Sequence, residues 1–161
     1  MKFSLSVTVV CVASIREEIE AMAIEYRMVG IFPLDDTLSR RLRAVLGADA
    51  RERSASDPAV KFELTSALLL VRAIRRAAFK NRSTLYFRVL DLNQAVEATN
   101  MMLACVAAAL EQLPPHVDVE LRTDETLLME RKWNRTKVIE PVRKGIPFWD
   151  DDRRRILGVA K

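Results

Sequence analysis

The chain predicts a doubly wound α/β domain, with a mostly parallel sheet of four to five strands and helices on both faces, of the Rossmann or flavodoxin-like kind. Two observations lead there. Short apolar runs rich in β-branched residues alternate with helical stretches, the order that builds βαβ crossovers. With 161 residues, half of them apolar and 30% charged, the chain has the size and composition of one globular domain with one core.

Taken in order, Phe3 to Ala13 is apolar but broken by Ser4, Ser6 and Thr8, and it reads as a buried first strand rather than a secretory signal. Ser14-Ile15-Arg16-Glu17 has the spacing of a capping box, and Ile15, Ile19, Met22, Ala23 and Tyr26 then recur at helical spacing as far as Gly30. Ile31 to Leu34 is a short second strand. Thr37 to Leu46 is a basic helix closed by Gly47, followed by a polar connection. Asp57-Pro58 opens a further helix whose apolar stripe is Val60, Leu64, Ala67, Leu68, Val71 and Ile74. Leu85, Phe87 and Val89 alternate in a third strand over 83–90, a long helix spans about 92–113, and 116–122 is a fourth strand. The order weakens beyond it: a short helix over 125–133, a last strand over 136–142 and a helical turn or two over 150–157. The chain accordingly divides into a sheet domain, 1–124, and a basic C-terminal extension packed on it, 125–161.

Cys11 and Cys105 lie in apolar stretches without a CxxC or Cys/His partner pattern, which points to reduced thiols and a cytoplasmic setting. One histidine, His116, cannot build a triad or a His-rich metal site. Neither a metal nor a cofactor is expected. Apart from the opening stretch, no apolar run approaches the roughly 18 to 20 residues that span a bilayer, so no membrane partner is expected.

In open parallel sheets ligands bind beyond the carboxyl ends of the strands. The residues there are Ser14 and Arg16, then Asp35 and Asp36, then Asp91 with nearby Glu97, then Asp124. A helix amide terminus at Ser14 with Arg16 beside it suits a phosphate, Asp35 a ribose hydroxyl, and Asp91 with Glu97 acid and nucleophile chemistry at an anomeric carbon. The expected ligand is a nucleotide or nucleoside phosphate. Each residue also has an ordinary use as a cap, a turn residue or a solvated charge, and no glycine stands at a strand-to-helix turn where a phosphate loop needs one.

The segment Val9-Val10-Cys11-Val12-Ala13-Ser14-Ile15-Arg16-Glu17-Glu18, with Gly30-Ile31-Phe32-Pro33 following, resembles the start of the nucleoside 2-deoxyribosyltransferase-like family. The resemblance implies a phosphate-binding turn at Ser14 and Arg16, a nucleophile at Glu97, and strand–helix order over about residues 5–122. Ala13 replaces the family's turn glycine, and Ser83 stands where an aspartate is usual. In the carboxyl half, Arg122-Thr123-Asp124, Pro141-Val142 and Phe148-Trp149 look like ribonuclease H-fold proteins, although Met102 falls where the helix acid of that fold belongs.

Two other uses of the chain compete. From Arg131 to Lys161 ten basic residues face four acidic ones, against a net charge of +4 for the whole chain. Arg131, Lys132, Trp133, Arg135 and Lys137 combine cations with an aromatic, as a nucleic-acid surface does, so residues 131–161 are the alternative binding region. The run Met101 to Leu110 is apolar all round, which predicts burial on several sides or a homodimer face.

Overall fold

The computed structural model describes residues 23–76, 82–124, 126–141 and 147–159. The expected first strand, Ser14 and Arg16 lie outside them. Eight described strands form one sheet: β1 Glu25–Gly30, β2 Arg51–Arg53, β3 Val60–Thr65, β4 Leu69–Arg75, β5 Ser83–Val89, β6 Val119–Arg122, β7 Leu127–Lys132 and β8 Arg135–Val138. Their order is β2-β3-β4-β5-β1-β6-β7-β8 and every neighbouring pair is antiparallel. The doubly wound, Rossmann-like parallel sheet is therefore corrected to a mainly antiparallel one. Strands on both sides of position 125 belong to it.

Among the described residues three α-helices accompany the sheet: α1 Asp36–Leu46, α2 Ala95–Gln112 and α3 Asp151–Leu157. In α1 the side chains of Leu38, Leu42 and Leu46 are buried four residues apart, one stripe of an amphipathic helix. Asp35 caps it by accepting from the Leu38 amide at 2.9 Å. The helix α2 meets α1, α3 and strands β4 and β5, so the all-round apolar run from Met101 to Leu110 is covered from three sides within the chain.

The sheet buries one face against these helices. Tyr26, Met28, Leu64, Leu69, Val71, Ala73, Leu85, Phe87, Val119, Leu121 and Met129 are all buried, and the strand pairings put them on one side, with Met28 opposite both Leu85 and Leu121. Gly30 ends β1 rather than a helix. A Cβ there would stand 2.8 Å from the Asp118 carbonyl oxygen, so the close approach of β6 requires glycine.

The helix expected after Pro58 is a hairpin. Phe62 and Leu64, then Leu69, Val71 and Ala73, alternate inward, the period of a strand. Ser66 closes the turn between them: its backbone amide donates to the Leu69 carbonyl at 3.0 Å, and its hydroxyl accepts from the Leu69 amide at 3.2 Å. Likewise Leu127–Lys132 is a strand, not a helix. Trp149, 4% exposed, fastens the C-terminal segment to it by donating from Nε1 to the carbonyls of Leu128 and Ile139 at 2.9 and 3.1 Å. No described helix is long and apolar enough to cross a membrane.

Candidate functional site

Side chains alternate across a strand, so the residues between the buried ones project from the opposite face. No described helix packs there. On that face the pairings align Arg53 with Glu63, Glu63 with Arg72, Arg72 with Tyr86, Tyr86 with Arg27, and Arg27 with Arg122. One row of side chains thus crosses six neighbouring strands, four of its members being arginines. With a strand spacing of about 4.8 Å the row is about 24 Å long.

Arg51 and Arg88 flank the row on β2 and β5, and Lys132, Arg135 and Lys137 extend the same face onto β7 and β8. Nine basic side chains thus share the described face with four strand carboxylates, Glu25, Glu63, Glu120 and Glu130, and Asp124 beyond β6 reaches Arg27 there. Each carboxylate is engaged: Glu63 with Arg72 at 2.6 Å and Arg53 at 3.9 Å, Glu120 with Arg122 at 3.1 Å, Glu130 with Lys132 at 3.6 Å, and Glu25 with Arg88 at 4.0 Å. Glu63 is buried despite its charge, its side chain 9% exposed beneath the two guanidinium groups. Exposed ion pairs of the other kind contribute at most about 1 kcal/mol and exchange readily for another anion.

Tyr86 lies in the middle of this row. The Arg72 guanidinium stands 6.0 Å from its ring centroid, the outer limit of a cation–π contact. Its phenol is pushed up to about 12, first by burial and then by the neighbouring Glu25 carboxylate.

The residues expected to form a rim are spread apart. In a parallel sheet the carboxyl ends of the strands share one edge; here β1 and β5 run in opposite directions, so Asp35 after β1 and Asp91 after β5 lie at opposite ends of the sheet. Asp35 caps α1, and Asp91 caps a single 3₁₀ turn, Leu92–Gln94, by accepting from the Asn93 amide at 3.0 Å. Glu97 is exposed in the first turn of α2. Asp124 pairs with Arg27 at 3.1 Å.

The basic C-terminal residues separate into two groups. Lys132, Arg135 and Lys137 are exposed on the open face, and Trp133, 80% exposed, forms the β7–β8 turn with Asn134, at φ 52° and 62°. Arg131 points the other way. It is 4% exposed and donates to the carbonyls of Leu110, Leu113 and Pro114, closing the negative end of α2.

A cleft of about 820 Å³ opens where β1 begins, beside the β6–β7 connection, lined by Glu25, Tyr26, Asp124, Glu140, Phe148 and Arg153 among others. Its charged groups hold the chain together. Glu140 accepts from the amides of Phe148 and Trp149, and Arg153 donates to the Phe148 carbonyl at 2.8 Å while lying 4.6 Å over its ring. No group of three or more His, Cys, Asp or Glu placed to hold a metal occurs among the described residues.

The members of the arginine row are scattered from position 27 to position 122, so no local pattern in the sequence groups them. The alternations Tyr86-Phe87-Arg88 and Glu120-Leu121-Arg122 are the local signals of a polar strand face. Comparison with family models, curated proteins and solved structures returned no match.

Proposed function

We propose that this protein binds the phosphate backbone of nucleic acid on the open face of its antiparallel sheet. The observation that carries the reading is the arginine row Arg53, Arg72, Arg27 and Arg122, aligned across six strands and surrounded by further cations. Arginine suits this work because its planar guanidinium donates in pairs to phosphate oxygens. Within the row Arg27 and Arg122 oppose each other, an arrangement that costs stability in a sheet and that a polyanion relieves.

The basic region 131–161 contributes through Lys132, Arg135 and Lys137, while most of the site comes from earlier strands. The single buried cysteine among the described residues, Cys105, is a free thiol, which goes with a cytoplasmic setting.

The test is titration of a labelled oligonucleotide at several salt concentrations. Binding tighter than about 100 μM, the weak end of non-specific association, is expected, weakening steeply with salt. The double substitution Arg27→Glu with Arg122→Glu should abolish it. Absence of binding at low salt, or binding indifferent to that double substitution, would overturn the reading.

A further inference from the structure

We infer that the nucleic acid taken by this face is single-stranded, laid across the β-strands along the Arg53-to-Arg122 row with one base stacked on Tyr86. This rests on the reading just proposed and narrows it. Tyr86 has basic neighbours on both sides of the row, Arg72 on β4 and Arg27 on β1, each one strand away. A nucleotide whose base lies on the ring therefore has a guanidinium within reach of the phosphate before it and of the phosphate after it.

Two contacts hold the platform in place. On one side Glu25 of β1, paired with Arg88 two residues along β5, stands beside the phenol, and on the other Arg72 is itself fixed by Glu63 at 2.6 Å. The Arg72 guanidinium lies over the ring at 6.0 Å from its centroid, the outer limit of a cation–π contact, so a stacking base displaces only a weak interaction.

The shape of the surface selects the strand state. In a duplex the π-faces of the bases are stacked inside, out of reach of an aromatic set within a sheet. A single strand offers them, and stacking tolerates any sequence because every base has a π-face. The row, about 24 Å long by strand spacing, accommodates a few nucleotides.

The experiment measures anisotropy of the whole chain with labelled oligo(dT), oligo(rU) and a duplex, each of about twelve nucleotides per strand, a length within known single-strand site sizes. Either single strand should bind at least about tenfold tighter than the duplex. Tyr86→Leu should weaken single-strand binding by about tenfold or more, with the salt slope and the duplex affinity unchanged, and Tyr86→Phe should restore it. Duplex binding as tight as either single strand, or an unaltered affinity in a folded Tyr86→Leu protein, overturns this inference while leaving the phosphate-binding reading standing. Failure of all three oligonucleotides to bind removes both.

Discussion

Arg27 and Arg122 stand directly opposite one another across β1 and β6, two like charges paired in register at the middle of an eight-stranded sheet. Each is balanced from the side, Arg27 by Asp124 and Arg122 by Glu120, both at 3.1 Å. Opposed like charges cost a few tenths of a kcal/mol or more, and exposed pairs of this kind return little. Arg122→Thr should accordingly leave the unfolding midpoint unchanged or raised, with stability within about 0.5 kcal/mol of the parent, while oligonucleotide affinity falls. A loss of stability well beyond that in urea titration would show that the arginine pair is a structural requirement.

Arg131 separates structure from surface within the basic stretch. Its guanidinium meets three carbonyls at the end of α2 without a carboxylate among its hydrogen-bond partners. Arg131→Ala leaves buried acceptors unsatisfied and is expected to cost about 2 to 4 kcal/mol. Lys132→Ala and Arg135→Ala, on the open face, should cost less than about 0.5 kcal/mol. Chemical denaturation of the three variants checks the contrast.

Trp133 and Trp149 differ enough to report on the fold by fluorescence. Trp133 is 80% exposed and Trp149 4%, so Trp133→Phe should remove the red-shifted, quencher-accessible emission and leave a blue one. Trp149→Phe deletes two hydrogen bonds to Leu128 and Ile139 and should destabilise by about 1 to 3 kcal/mol. Equal quenching of the two single-tryptophan proteins would contradict this placement.

Stability should decline on the alkaline side for two identifiable reasons. Burial pushes the Cys105 thiol from 9.0 to about 12, and burial with Glu25 pushes Tyr86 from 10.0 to about 12. Both groups hold their protons more tightly folded than unfolded. Their contributions are therefore complete below pH 9 and pH 10 respectively and are lost as pH rises toward 12. Thermal melts between pH 8 and pH 12 should fall with a slope that Cys105→Ala and Tyr86→Phe each reduce. A slope unchanged in both variants would assign the loss to other groups.

Gly30→Ala tests the closeness of β1 and β6. The added methyl would meet backbone, the Asp118 carbonyl oxygen at 2.8 Å, which cannot rotate aside as a side chain can. Overpacking of this kind costs about 1 to 3 kcal/mol, read as a lowered urea midpoint.

What could be read from the sequence followed from how sharply each segment's period was marked. The helices ending at Leu46 and Gln112 and the strands around Phe87 and Leu121 carry clear periods and flanking Asp, Gly or Pro signals, and they occur where expected. The segment from Val60 to Ile74 was ambiguous, because its spacing of aliphatic residues satisfies a helical stripe and an inward alternation equally well. In the hairpin Ser66 marks the turn, its hydroxyl accepting from the Leu69 amide. Taken as a helix, that segment makes a crossover of what is a meander, and a crossover implies parallel pairing. The expected rim failed for the same reason: Asp35, Asp91 and Glu97 were grouped by a strand direction the chain does not adopt. Arg27, Arg72 and Arg122 could not be grouped by proximity in sequence, since only the pairing of β4, β5, β1 and β6 brings them into line.

The position of β1 between β5 and β6 has a consequence for the order in which the chain is made. As the protein leaves the ribosome, β1 emerges before either neighbour and waits while β2 to β5 pair with one another in sequence, and it gains its second partner only when β6 follows α2. Sheets assembled through such distant pairings fold slowly. Until β1 docks, β5 and β6 each present an unpaired edge, and the strand that fits both is β1 from any copy of the chain. Exchange of that strand between two nascent molecules is therefore the misassembly this topology most invites.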